Sequence, residues 1–286
     1  KKLIQYAKYG RCDRDAPVPP EVSWIKLTVS RREAVRVRPE MILKPEEVKA
    51  IMRAALNERD RAMVSVYFEG ALRPEELLTM KVSSVEFREG YCVVSVYGKT
   101  GLRRVPLVAS YRPLLEWLRK HPRADDPEAP LWTSISKNSR GKRLTYDSFR
   151  MLLKRLARRA GIRKNVWPYL FRHSSLTALS KLLTDSELKP FAGWVKDSRM
   201  PAVYIHLAGS DVEDKILAIH GLKEADRSGW ILTVQTCPRC GGRNQPSAVR
   251  CEFCGMILDR RLAMKIESER AEKLREAFER LDRVER

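Results

Sequence analysis

The sequence holds no apolar run approaching the roughly 18 residues that a membrane-spanning helix needs. It shows no signal-peptide pattern either. No internal repeat and no low-complexity tract interrupts it, so neither a repeat array nor a disordered linker accounts for its length. Amides are scarce, with four Asn and three Gln, while charged residues reach 32%. That balance is associated with proteins from hot environments. Acids are the minority charge: 36 Asp and Glu stand against 56 Lys and Arg, a net +20. Such an excess points to nucleic acid or an anionic membrane surface as partner. Hydrophobic residues make up 43% of the 286, enough for a real core. The length suits one large domain with one or two small modules. The chain begins Lys-Lys and not with Met, and is expected to be part of a longer protein.

Cysteine is equally sparse, at six, but four are patterned. Cys237-Pro-Arg-Cys240 and Cys251-Glu-Phe-Cys254 are two CxxC pairs, each followed by glycine (Gly241, Gly255). Two such knuckles place four sulfurs around one tetrahedral Zn²⁺. A disulfide or redox pair is the lesser alternative, because an intracellular compartment keeps such thiols reduced. With all four positions Cys, the site is expected to be closed and structural. Cys92 alternates with strand-like residues and is expected to be buried filler; Cys12 is unpatterned.

Residues 1–40 are polar and weakly periodic, and read as a helix end and a linker. Pro45 opens a helix with Val48, Ile51, Met52 and Ala55 on one face. A second apolar helix covers Arg61–Phe68 and stops near Gly70. Pro74 opens a third. Val85–Tyr97 alternates as one strand, and Gly98-Lys99-Thr100-Gly101 turns it into another through Val105 and Leu107. A helix follows around Leu114–Leu118. From Lys137 to Lys164 there are eleven basic residues and one acid, Asp147. There Phe149, Leu152, Leu153, Leu156 and Ala160 form a helical stripe, and Gly161 caps it. Arg150, Lys154, Arg155, Arg158 and Arg159 cover the remaining surface; the single sign of the charge favours phosphate contact over a merely solvated face. Ser174–Leu183 reads as a helix, Thr184 with Glu187 as a capping box, and Pro201 as the start of another helix carrying Tyr204. Residues 262–286 form a charged helix with Leu262, Ile266, Leu274, Phe278 and Leu281 on a partial stripe.

Several residues are unremarkable alone. Arg73 precedes Pro74 at a helix start, where unpaired amides favour anions, and Glu76 can brace it. Lys99 sits at a hairpin tip, followed by Arg103 and Arg104. In WPYLFRHSSL, Arg172 and His173 stand inside an apolar run, costly if buried without partners. Gly193-Trp194 and Tyr204-Ile205-His206 close the series.

In order, GALRPEELLTMK, GKTGLRRVPL, YLFRHSS, AGW and VYIHL resemble the catalytic domain of the tyrosine recombinases, the phage-integrase family, over residues 40–210. The resemblance implies a mainly α fold with a small antiparallel β-sheet or hairpin, here with a zinc ribbon and a charged C-terminal helix added. It implies domains at 1–40 (the tail of an N-terminal DNA clamp, with linker), 41–228 (catalytic), 229–260 (ribbon) and 261–286 (helix). It puts the catalytic roles on Arg73, Lys99, Tyr169, Arg172, Trp194 and Tyr204, with Glu76 and His173 supporting. Arg103, Arg104, Arg150, Lys154 and Arg158 are expected to meet DNA, and Arg239, Arg243 and Arg250 of the ribbon to meet DNA or a second protomer. The implied partner is double-stranded DNA, bound by a homo-oligomer of up to four copies in the cytoplasm or nucleoid. The cysteine pairs imply structural zinc as the cofactor, and the resemblance implies no catalytic metal or nucleotide.

The residue types fit that chemistry. Two guanidiniums can hold the non-bridging oxygens of a phosphodiester and stabilise its transition-state charge. Tyr204 attacks phosphorus, and Lys99 is the acid for the departing 5′-hydroxyl. Three features depart from the family pattern. Tyr169 stands where a His is usual, and a phenol is a feeble base near pH 7. Trp194 replaces a common His. The interval from Trp194 to Tyr204 is one position longer than usual. The implied activity is site-specific recombination for a mobile element, viral or plasmid-borne. A type IB topoisomerase-like enzyme and a DNA-binding regulator with a decayed site are the alternatives.

Overall fold

The computed structural model describes residues 1–13, 15–25, 37–208, 217, 220 and 231–284, with side chains left out for 206–208 and 278–284. The side chains of His206, Phe278 and Leu281, the linker at 26–36 and the boundary at 228 therefore lie outside the described residues. The chain divides into two units, Lys1–Arg38 and Pro39–Arg286. The first contains α1 (Lys2–Tyr9) and α2 (Pro20–Ser23), tied by the Gln5 amide, which donates to the Ala16 carbonyl at 2.7 Å.

The second unit is mainly helical. It runs α3 (Pro45–Arg53), α4 (Glu58–Glu69), α5 (Pro74–Leu78), β1 (Val85–Arg88), β2 (Tyr91–Gly98), β3 (Gly101–Leu107) and α6 (Tyr111–Arg119). Then come α7 (Tyr146–Arg159), α8 (Pro168–Leu179), α9 (Asp185–Ala192), α10 (Met200–Ala208), β4 (Gln235–Thr236), β5 (Arg243–Asn244) and α11 (Arg260–Val284). The strands β1-β2-β3 form one antiparallel sheet in that order.

The central helix is α4. It starts three residues before its apolar pattern because Asn57 caps it, accepting from the Asp60 amide at 2.8 Å. It is buried on nearly every side, and its Tyr67 packs edge-on against Phe149 at 4.9 Å. The Tyr67 hydroxyl donates to the Pro168 carbonyl at 2.8 Å, which fixes the start of α8. At its other end Glu69 accepts from the amides of Val108, Ala109 and Ser110. That carboxylate locks the β3–α6 junction onto α4, so the sheet and the helices share one frame.

Two expected elements differ. The long strand is two strands, because Gly90, at φ 78°, allows the tight turn that separates β1 from β2. The helix expected from Ser174 begins at Pro168 and ends at Leu179. Proline at the first helical position suits the start, so the whole of YLFRHSS is helical. Elsewhere the stripe of α7 is buried at Phe149, Leu152, Leu153 and Leu156, with Ala157 completing it and Ala160 half-exposed. Glu187 accepts from the Thr184 amide at 2.8 Å, as the capping box requires. On α11, Leu262 and Ile266 are half-buried, but Leu274 is exposed.

The four patterned cysteines form a compact ribbon around β4 and β5. It rests on the same unit: Arg53 pairs with Asp259 at 2.9 Å and donates to the Ser247 carbonyl. Arg112 pairs with Glu252 and lies over the Phe253 ring at 5.1 Å. Arg239, Arg243 and Arg250 are exposed.

Candidate active site

The site is built where the end of α4, the hairpin β2–β3, α8 and the α9–α10 junction meet. Its centre is a carboxylate. Glu76 on α5 is buried, at 1% exposure. It pairs with Arg73 and with Arg103, each at 2.6 Å, and accepts from the Arg73 amide at 2.8 Å. Arg172 stands 4.0 Å away. Three guanidiniums thus share one carboxylate, leaving an excess of two positive charges. Burial alone would raise the Glu76 pKa, but the Arg103 charge and the bonds from Arg73 outweigh it and hold the carboxyl below its ordinary value.

Each arginine is also held by backbone. Arg73 donates to the Gly193 carbonyl at 2.7 Å. Arg172 donates to the carbonyls of Ala71 and, at 2.7 Å, Ala192. Ala71 is the one non-glycine residue with positive φ among the described residues, at 45°. A Cβ there costs on the order of 1 kcal/mol. The turn that costs this aims a carbonyl at Arg172. Gly193 adopts φ 65°, and any Cβ on it would meet the side chains of Arg103 and Arg73 at about 3 Å.

Arg172, expected to hold a phosphate of the DNA, is buried, at 4% exposure. Burial first, and then the Arg73 charge, push its pKa down to about 10. Arg103, also expected on the DNA surface, is turned inward, where it holds Glu76 and donates to the Phe191 carbonyl. The reason is strand parity: Arg103 shares its side of β3 with buried Val105 and Leu107. Arg104, on the other side, is exposed and pairs with Glu86.

Lys99 is exposed at the hairpin tip, between two anchored neighbours. Gly98 packs so closely on Glu76 that an added Cβ would come within 2.4 Å of its carboxylate. Thr100 donates to the Gly193 carbonyl at 3.1 Å. The tip is thereby pinned at the rim of the arginine cluster.

Tyr204 lies in an apolar cluster with Ala71, Leu176, Leu188 and Ala192 and is 2% exposed. Its ring stacks on Trp194 at 5.4 Å and on His173 at 5.6 Å. The Arg172 guanidinium is 6.0 Å from the Trp194 ring centre. The Tyr204 hydroxyl is bonded to His173 Nδ1 at 2.9 Å. Burial pushes the Tyr204 pKa up to about 12 against the pull of Arg172 and Arg73. Tyr169 stands apart from that contact, 39% exposed. Its pKa is raised by burial and by Glu75, against the pull of Arg172. Of the α7 residues, Lys154 and Arg158 are exposed, and Arg150 pairs with Asp147 at 3.2 Å.

The second constellation is the ribbon. The four sulfurs of Cys237, Cys240, Cys251 and Cys254 lie within 4.8 Å of one another. Two pairs, Cys237–Cys254 and Cys240–Cys251, are 3.6 Å apart. A tetrahedron with metal–sulfur bonds of about 2.3 Å has edges near 3.8 Å, so the four can hold a metal ion. Gly241 and Gly255 have φ 70° and 72°, and their amides donate to the carbonyls of Cys237 and Cys251. The glycines therefore close each knuckle through backbone carbonyls.

Removing the central charge has a defined consequence. Glu76→Gln is expected to lower stability by about 3–5 kcal/mol, the cost of leaving buried charges without their partner. The carboxyl is depressed in the fold, so its contribution is complete above the unfolded carboxylate pKa of about 4.3. It is lost as pH falls through the lower, folded value. Denaturant titrations across pH should therefore show the wild-type curve falling toward that of the variant as pH drops from the unfolded carboxylate value through the folded one.

The fold sets helices around a small sheet and brings arginines together beside a buried tyrosine. Residues 41–210 match the phage integrase family, and the chain belongs to that family through its tyrosine recombinase catalytic domain. It is 34% identical over 127 residues to a tyrosine recombinase of Synechococcus elongatus, covering 43% of this chain and 39% of that protein. It is 28% identical over 193 residues to the tyrosine recombinase XerD of Oceanobacillus iheyensis, covering 63% and 62%. The chain thus spans less than two thirds of these relatives. The fold is shared with a XerA recombinase structure at TM-score 0.50, with 22% identity over 63% of this chain and 65% of that one. It is shared at the same score with the Tn1549 transposon integrase in complex with circular intermediate DNA, with 15% identity over 65% and 68%.

Proposed function

We propose that the protein is a site-specific DNA recombinase of a mobile element, working through a 3′-phosphotyrosine intermediate. The observation that carries this reading is the stack of Tyr204 on Trp194, beside the guanidinium of Arg172. Arg73 and Arg172 each spend two guanidinium N–H groups within the protein, which leaves three for a phosphate. Preorganised donors of this kind stabilise the charge of a five-coordinate phosphorus. Tyr204 supplies the nucleophile, and Lys99, free to swing at the rim, protonates the 5′ oxygen. The phosphotyrosine keeps the energy of the broken bond, so rejoining needs no ATP. Double-stranded DNA is the substrate, a homo-oligomer of up to four copies the assembly, and the cytoplasm or nucleoid the setting. The scarce amides agree with a hot-living source.

The test is covalent capture on a nicked suicide duplex bearing candidate attachment sites, against random duplex. A protein–DNA adduct mapped by mass spectrometry to the Tyr204 peptide is expected. An adduct on any other residue, or none with every duplex, would overturn the reading. Relaxation of supercoils without joining of two duplexes would favour the topoisomerase-like alternative.

The four cysteines are proposed to hold structural zinc. Elemental analysis should give one zinc per chain. Because the ribbon sits on α3 and α6, chelation is expected to open residues 231–259 to protease first. Covalent capture should fall less than about tenfold, since a structural metal supplies folding energy and not chemistry.

A further inference from the structure

The geometry points to His173 as the group that takes the phenolic proton from Tyr204. This rests on the reading of Tyr204 as nucleophile and adds to it the identity of the base.

The hydroxyl and Nδ1 are 2.9 Å apart, within the range for direct proton transfer. The ring is half-buried and its plane lies 28° from that of Tyr204, so the two side chains are held as a pair. Burial, and then the Arg172 charge, push the His173 pKa down to about 4. The ring is therefore neutral at pH 7, and the tautomer with its hydrogen on Nε2 leaves Nδ1 free to accept from the phenol. A neutral imidazole can accept; an imidazolium could not.

Other residues near the site do not serve. Glu76 is consumed by Arg73 and Arg103. Tyr169 has a phenol of its own, with a pKa raised above the ordinary value, so it keeps its proton. His173 lies four residues further along α8, one helical turn on and on the same face. The position that meets Tyr204 is His173.

The step balances. As the bond from Tyr204 Oη to phosphorus forms and the bond to O5′ breaks, the phenolic proton passes to Nδ1, giving an imidazolium. The 5′ oxygen takes its proton from Lys99. On rejoining, both transfers reverse. Desolvation opposes the imidazolium in the free protein. A bound phosphate offsets the Arg172 charge that also opposes it.

The experiment uses a duplex with sulfur in place of the bridging 5′ oxygen. A thiolate leaves without an acid, so the assay isolates activation of the nucleophile. His173→Asn keeps a hydrogen-bonding group near the Nδ1 position but has no usable basicity, and thermal melting and DNA affinity report whether it folds. It is expected to bind DNA as the wild type does and to form the adduct about 10² to 10³-fold more slowly. His173→Ala is expected to regain part of its rate with free imidazole. Lys99→Ala should be relieved on this substrate, while the His173 variants are not. If His173→Asn reacts within about tenfold of the wild type, His173 only positions the ring and the inference is overturned. That failure is separate from failure of the Tyr204 assignment, which would show as an adduct on another residue of the wild type.

Discussion

Tyr204→Phe is expected to abolish covalent capture of DNA, with no adduct above background on a suicide substrate, while leaving DNA affinity within about twofold. The change removes one oxygen. The ring keeps its stacking on Trp194 and its place among Leu176, Leu188 and Ala192, so the apolar contacts survive. What is lost is the bond to His173 Nδ1, whose removal costs on the order of 1 kcal/mol. DNA affinity for a chain of net +20 rests mainly on exposed Lys and Arg through counterion release. Tyr204, 2% exposed, contributes little to it. Binding and chemistry should therefore separate cleanly. The measurement is adduct yield beside a salt-dependent binding curve. Adduct formation by the Phe variant would move the nucleophile elsewhere; a collapse of affinity would make Tyr204 a structural residue.

Much of the frame was legible because it obeys local rules. Apolar spacing marked α3, α4 and α7, and prolines at Pro45 and Pro74 marked helix starts, since proline costs least at the first turn. The alternation along β3 also contained the inward turn of Arg103, had parity been applied to a charged residue as it was to Val105 and Leu107. Other features had no local signal. Ala71 adopts a left-handed backbone without being Gly or Asn, and the partner of its carbonyl, Arg172, lies 101 positions away. The break between β1 and β2 was hidden because residues on both sides of Gly90 keep the alternation. The contact between His173 and Tyr204 joins residues 31 positions apart; nothing in either segment announces it. The motifs singled out Arg73, Arg172, Trp194 and Tyr204, which are spread along the chain and come together in the fold. They did not tell which arginines would be buried, because that depends on Glu76 gathering three of them.

Arg172→Ala is expected to slow adduct formation by about 10³-fold or more, whereas Tyr169→Phe should slow it by less than about tenfold. Both residues lie on α8, three positions apart, and a resemblance alone gives both a phosphate role. Their surroundings separate them. Arg172 is 4% exposed and clamped by the carbonyls of Ala71 and Ala192, so its remaining N–H groups are fixed before substrate arrives. Fixed donors need no reorganisation as charge develops, and the loss of one such donor costs 10²–10³ in rate. The loss of a full positive charge on a transferring phosphoryl group costs 10³–10⁵. Arg172→Lys should recover little of this, because an ammonium cannot keep both carbonyls and also fork onto two phosphate oxygens. Tyr169 is 39% exposed, and its neutral phenol offers at most one hydrogen bond to a phosphate oxygen or a water, worth about 1 kcal/mol. Alanine at 172 also relieves the crowding of three guanidiniums around Glu76, so the variant should fold at least as stably as its lost carbonyl bonds allow. Single-turnover cleavage with saturating DNA decides between the two residues. Equal, total losses in both variants would place Tyr169 in the chemistry itself and give the proton path a second member beside His173.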